Sequence, residues 1–437
     1  MKKLVFISTL LLLVSASTSA QPSPNAPEAR HDHSMLPLPD GSVLLIGGED
    51  VSGHLFSDMY VFNDMQMGVW NEITPANDPP PARRSHAAWA RDGKVYIHGG
   101  YGENNLLDDM WQYDMATNEW TQINQPADKP DPRYGHTVVS VNGKDYLYGG
   151  KNDSGTDFMD FWSYDPGSND WQEDDDFHPP SAGHAIGAVG GTIYAYGGIR
   201  WNEDDYRDDT RYYDTPLGNS WTYTYTSGDS PGPLAFMFHT FMHNLANHCM
   251  YLFGGENGSK ELQDSFYKFN MDTHTWYQLP AGPPALSHGS MAITWTNEDT
   301  TLVLFGGLNS SGEPVDENWQ YNFDEESWEV LTAIDDQNNQ TQPLAYLYDN
   351  YPNPFKNSTT ISYTIREKSY VNLSIYNVNG QHIKTLTSGM QSSGTHEINW
   401  SANDNDANSL PYGIYFYNLK IDGDNSLTKK CFYFDTR

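Results

Sequence analysis

A short apolar run closed by two glycines comes back six times in this 437-residue chain, at Gly47-Gly48, Gly99-Gly100, Gly149-Gly150, Gly197-Gly198, Gly254-Gly255 and Gly306-Gly307. The first glycines of successive pairs stand 52, 50, 48, 57 and 52 residues apart. A period of that length means one supersecondary unit repeated, each too small to bury its apolar face until its neighbours stack against it. Other residues keep the same beat. A His stands ahead of every pair (His33, His86, His136, His184, His239, His288), and a Trp follows the first glycine by 21 to 24 positions (Trp70, Trp120, Trp171, Trp221, Trp276, Trp328). Seven or eight positions before each Trp comes an aromatic with Asp or Asn, as in Tyr113-Asp114 and Phe269-Asn270.

Within one unit, four β-rich runs (87–89, 94–98, 110–113 and 120–123 in the second) are separated by Asp, Asn, Gly and Pro clusters, which reads as one four-stranded antiparallel blade. The paired glycines are expected at the inner-strand ends, allowing close backbone approach and leaving room for the wide Trp rings, which should be buried between blades. On these residues the chain resembles the kelch family over roughly residues 30 to 332. The resemblance implies an all-β fold, a six-bladed kelch-type β-propeller spanning 30–333, whose closed ring protects its sheet edges. Pro22, Pro24, Pro27 and Pro343 make poor strands of the flanking segments, so closure is expected by packing alone, without a strand exchanged between first and last blades.

The flanks set the export route. Lys2-Lys3, an apolar run from Leu4 to Val14 and small residues to Ala20 read as a signal peptide over 1–20, followed by a lead over 21–29. No later segment is long and apolar enough to span a bilayer as a helix, so no membrane insertion is expected. A polar linker over 334–345 leads to a second domain over 346–437, where about seven short strands read as a small immunoglobulin-like β-sandwich. Its opening Tyr351-Pro352-Asn353-Pro354-Phe355, the strand Gly413-Ile414-Tyr415-Phe416-Tyr417 and the closing Lys429-Lys430-Cys431-Phe432 resemble the type A carboxy-terminal sorting domain of the type IX secretion system. That resemblance implies passage to the cell surface or the extracellular medium, with the type IX machinery as a partner.

Charge narrows the ligand classes. Residues 21 to 342 hold 49 Asp and Glu against 14 Lys and Arg, while residues 343 to 437 hold eight of each. A field so acidic repels nucleic acid and anionic lipid, which argues against both as partners. Cys249 and Cys431 sit in different domains on apolar runs and are expected as two buried thiols. Arg84 and Arg133 match the strand-lead arginine of the kelch repeat and are expected to bind loop carboxylates. The histidines are expected to be structural.

No metal or cofactor is expected. Asp170, Asp174 and His178 keep the four-residue steps of the iron site in plant kelch specifier proteins, but with Asp at the first position, and the surrounding acidic run reads as solvated charge. Asp404 to Asn408 begins like a calcium loop but has Ser409 where the turn needs Gly. No nucleophile, base and oxyanion grouping can be assembled, so the expected function is a non-catalytic binding or adhesion module for a surface glycan or an extracellular protein. The alternative is a carbohydrate-active enzyme of the sialic-acid mutarotase type. The candidate ligand residues are Arg200, Trp201, Tyr206, Arg207 and Arg211, which gather three of the propeller's 14 basic residues with two aromatics in the loop after the fourth glycine pair.

Overall fold

The structure is a computed structural model that describes residues 26–64, 69–173, 181–200, 203–215, 221–236, 238–244, 247–295, 300–331, 345–348, 350, 353, 355–365, 368–378, 380–392, 394–403, 410–422 and 425–434. The chain divides into two compact units, one up to residue 335 and one from residue 336.

The first unit is a six-bladed propeller. Each blade is an antiparallel sheet in sequence order, as in the second, built from Ala87–Arg91, Lys94–Tyr101, Leu106–Asp114 and Glu119–Ile123. Blade 5 adds one strand to this plan. The chain leaving the two-residue outer strand of blade 4, Thr222–Tyr223, runs on as Ser227–Gly228 and pairs in parallel with Thr275–Leu279, the outer strand of blade 5.

The tryptophans fill the wedges between blades. Each ring lies 4.7–6.0 Å from the aromatic of its own third strand, for example Trp120 on Tyr113 and Trp276 on Phe269. Its far side meets the residue just before the preceding blade's glycine pair: Phe305 for Trp70, Tyr148 for Trp221, Tyr196 for Trp276. Five of the six are buried, and Trp328 is half-buried.

The glycine pairs do not make room for these rings. In the pair Gly99-Gly100 both residues have positive φ, 60° and 95°. A Cβ on Gly99 would lie 2.9 Å from the carbonyl oxygen of Arg133 and 3.0 Å from the ring of His136, both leading into the next blade. One on Gly100 would meet the Arg84 carbonyl oxygen at 2.7 Å. Close backbone approach, across the seam at Gly99 and within the blade at Gly100, therefore requires the glycines. The second glycine of every pair then donates its N–H to the chain leading into the next blade, at Arg83, Arg133, Ser181, Leu234, Leu286 and, around the ring, Arg30, over 2.7–3.0 Å.

A second set of bonds closes on itself. Ser85 N–H donates to Asp32 O, Gly135 to Ser85, Gly183 to Gly135, Phe236 to Gly183, His288 to Phe236, and Asp32 to His288, over 2.6–3.0 Å. All six residues are left-handed, with φ between 51° and 66°, and form a hoop of backbone hydrogen bonds around the propeller axis. Among the described residues no strand is exchanged between blades 1 and 6. Their seam is nevertheless hydrogen-bonded rather than merely packed, with Thr294 Oγ1 donating to Gly41 O (2.6 Å) and Met35 N–H to Ser290 Oγ (3.0 Å) besides the two bonds above.

The second unit is an immunoglobulin-like sandwich. Ala345–Leu347, Thr359–Ile365 and Gly394–Trp400 form one sheet. His382–Gln391, Ser369–Asn377, Gly413–Ile421 and Asn425–Tyr433 form the other. Alternation along Gly413–Ile421 sends Tyr415, Tyr417 and Leu419 into a core with Trp400, Ile361 and Leu373. Phe355 packs on Tyr433 of the last strand at 5.2 Å and donates its N–H to Phe432 O. Cys249 and Cys431 are both buried free thiols in separate units.

Candidate functional site

Registers fix which residues occupy equivalent places. His33, His86, His136 and His184 each immediately precede the first paired residue of an inner strand, so these four are equivalent. Blades 5 and 6 depart from the expected one His per blade. His239 is the second paired residue of its strand, and His288 is itself a member of the hoop, one place early. The equivalent positions hold Met237, outside the described residues, and Gly289. Burial holds the imidazoles of His33, His136 and His184 well below their ordinary pKa and those of His86 and His98 at about 3, with Arg83 adding to the effect at His86 and Arg133 at His98.

The lead-in arginines clamp each of blades 1 to 3 to itself, while blades 5 and 6 have Leu234 and Leu286 at that position. Arg133 grips Asp160 with two bonds of 2.6 Å and donates to Gly149 O, while its own backbone carbonyl takes the N–H of Gly100 from the blade before. Arg30 does the same with Asp58 and Gly47, and Arg83 with Asp109 and Gly99. Arg83, not Arg84, is therefore the counterpart of Arg133.

In blade 4 that position is Ser181, and the clamp is rebuilt from elsewhere. Arg211 pairs with Asp209 at 2.8 Å, donates to Gly197 O at 2.8 Å and to Tyr148 Oη at 2.9 Å, and is wholly buried. Of the other candidate ligand residues, Tyr206 is buried and donates to Glu256, Arg207 pairs with Asp209 at 2.7 Å, and Arg200 with Glu203 at 2.6 Å. Trp201 lies outside the described residues, as do Asp174, His178 and residues 404–409. Arg211 thus stands in blade 4 for the arginine that Ser181 replaces, and Arg211 and Tyr206 hold the blade rather than face solvent.

The residues that do face a cavity lie around the hoop. There each inner hairpin, interrupted by its glycine pair, resumes for one more bridge between the residue after Gly-Gly and the residue just before the hoop. In blades 1 to 3 these bridges are His31 with Glu49, Arg84 with Tyr101 and Tyr134 with Lys151. In blades 4 to 6 they are Ala182 with Ile199, Ala235 with Glu256 and Ser287 with Leu308. One arc of the mouth is therefore charged and aromatic, and the other is chiefly small or apolar.

The mouth opens on a cavity of about 390 Å³ that runs down the axis past His33, His86, His136 and His184. On the charged arc, Arg84 Nε lies 2.8 Å from Glu49 and its Nη1 3.5 Å from Asp32, with the guanidinium 5.1 Å from the Tyr101 ring. Lys151 Nζ lies 4.8 Å from the Tyr134 ring centre. Across the hoop Phe236 and His288 stack at 4.2 Å. Burial works against the charge of Asp32, yet His288, His31 and Arg84 together hold its carboxyl well below the ordinary range. Among the described residues no group of three or more His, Cys, Asp or Glu is placed to hold a metal ion.

The sequence does not set these residues apart, because the letters that recur from repeat to repeat are its clamps and wedges. The position directly after each glycine pair was the available signal.

Comparison with known proteins places these features. A family model described as the KLHDC2/KLHL20/DRC7 Kelch-repeats domain matches residues 14–198 and 183–350, and one described as the FlgD Ig-like domain matches residues 355–425. The leucine-zipper-like transcriptional regulator 1 homolog of Drosophila melanogaster is 24% identical over 319 residues, which are 70% of this chain and 21% of that protein. The Rab9 effector protein with kelch motifs of Rattus norvegicus is 31% identical over 96 residues, 21% of this chain and 24% of that protein. The N-(sulfonatooxy)prop-2-enimidothioate sulfolyase of Thlaspi arvense is 31% identical over 88 residues, 20% of this chain and 25% of that protein. The chain spans a quarter or less of the length of each of these relatives.

Proposed function

The chain belongs to the kelch-repeat family, and on that premise we propose that its propeller is a binding module that takes an extracellular protein or a surface glycan at the mouth of the axial cavity. The observation that carries this reading is the divided mouth of the cavity, lined by Asp32, Arg84, Tyr134 and Lys151 on one arc and by Ala182, Phe236 and Gly289 on the other. A partner held across the hoop can satisfy charge at one end and bury apolar surface at the other, the usual division of labour at a specific interface.

A photo-crosslinking side chain in place of Val51, on the exposed loop after the first glycine pair, should join a partner on irradiated whole cells. The same group in place of Tyr277, on the outer strand of blade 5, should not. Arg84→Ala should lower the yield from position 51. Equal yields from positions 51 and 277, unaffected by Arg84→Ala, overturn the reading.

The delivery route belongs to the same proposal. The leader over 1–20 and the Phe355 and Gly413–Ile421 signatures of the sandwich support export by the type IX machinery to the cell surface or beyond. Deleting residues 346–437 should leave the propeller in the periplasm. Surface display of the truncated chain would refute the sorting role.

A further inference from the structure

We propose that the axial mouth is also a covalent carbonyl site, in which the Lys151 amine condenses with a small uncharged aldehyde of the open-chain glyceraldehyde type. Lys151 follows the third glycine pair, lines the mouth cavity and is only 5% exposed. It sits among Tyr134, Asp157, Asp32 and Arg84, the ring and charges that face it. Condensation converts the ammonium and the aldehyde into a protonated imine and water, so a cation is replaced by a cation and no proton or electron is gained or lost. The product keeps what the ammonium had: the Tyr134 ring 4.8 Å from the nitrogen, and the attraction of Asp157 and Asp32.

Burial pushes the amine down to about 8, with Arg84 assisting and the two carboxylates opposing. About a tenth of it is then the neutral nucleophile at pH 7, against roughly three parts in ten thousand of a surface lysine. The same surroundings select the carbonyl compound. Asp32, Glu49 and Asp157 at the mouth oppose an anionic aldehyde or oxo acid, and a cavity of about 390 Å³ takes a few carbons beside the side chain.

The full chain is exposed briefly to glyceraldehyde and cyanoborohydride at several pH values, and each lysine's labelling rate is read by peptide mass spectrometry. Hydride from the borohydride reduces the imine to a stable secondary amine. At pH 7.5 Lys151 should label at least about tenfold faster than Lys260, whose side chain is 62% exposed. Its rate should level off near pH 8, and glyceraldehyde 3-phosphate should label it more slowly than glyceraldehyde does. Asp157→Asn should shift the inflection to lower pH, which a merely structural lysine would not show. A Lys151 rate equal to or below that of Lys260, or one still climbing at pH 9.5, overturns the proposal whatever the fate of the partner-binding reading.

Discussion

Mild acid should unlock the propeller, and the buried imidazoles set the scale. His86 and His98 line the blade 1–2 and 2–3 seams, and burial holds both at about 3, where an exposed histidine titrates near 6.5. The unfolded chain therefore binds protons between these values that the folded chain refuses, and stability present above pH 6.5 is lost as pH falls toward 3. Each histidine costs about 1.4 kcal/mol per pH unit in that window, so the two together remove about 4 kcal/mol between pH 7 and pH 5. His33, His136 and His184 act in the same direction. Against a total of about 5–15 kcal/mol for a typical domain, that decides whether the ring stays folded. Urea unfolding followed by tryptophan fluorescence reports on the propeller, because all the tryptophans except Trp400 precede residue 335. Between pH 6 and 4.5 the stability should fall by at least about 2.7 kcal/mol per unit, and His86→Asn should reduce that slope by about 1.4. An unchanged slope in His86→Asn would refute the assignment of the effect to the seam.

Other perturbations test the seams and the clamps. Gly99→Ala places a methyl 2.9 Å from the Arg133 carbonyl oxygen at positive φ and should cost about 2 kcal/mol or more by the same urea assay, while Gly93→Ala, with open space around it, should cost only about 1 from its φ. Arg133→Met leaves the Asp160 carboxylate without its cation, with only the Trp162 indole N–H still on it, and should destabilise by about 3–5 kcal/mol. Arg211→Met should cost about as much as Arg133→Met if it replaces the missing clamp of blade 4, and a loss below about 1 kcal/mol would show that Ser181 alone suffices. Mass spectrometry of the surface fraction should find a chain that begins near Gln21 and lacks the segment after about Leu344; an intact chain retaining Phe434 contradicts processing of the sorting domain.

The period of the glycine pairs carried most of the architecture, because blade number follows directly from counting units that cannot stand alone. The count of about seven short strands likewise sufficed for the sandwich. What stayed hidden depended on register. His239 and His288 look like the other four histidines in the sequence, yet two and one residues of displacement put them elsewhere on the blade. Arg83 and Arg84 are indistinguishable until one is seen on Asp109 and the other on Glu49. The hoop was illegible for another reason: left-handed backbone is expected of Gly135 and Gly183, but nothing local predicts it at Phe236 or Asp32, where the circle of bonds imposes it. In the sequence the basic cluster of blade 4 reads alike as a clamp and as a ligand grip, because both use arginine, and only the structure puts Arg211 on Asp209 and Gly197.

The hoop has a consequence for what the order of the repeats means. Every junction, including that between Asp32 and His288, is made by the same backbone bond, so the junction lacking a covalent crossing is no weaker in kind than the other five. The propeller's information is therefore cyclic. A chain opened instead in the loop between Ile123 and Arg133, with its old ends bridged from residue 331 to residue 26, keeps all six bonds and merely relocates the gap. By the same token a duplicated blade needs no new closing device, only a wider circle of identical links.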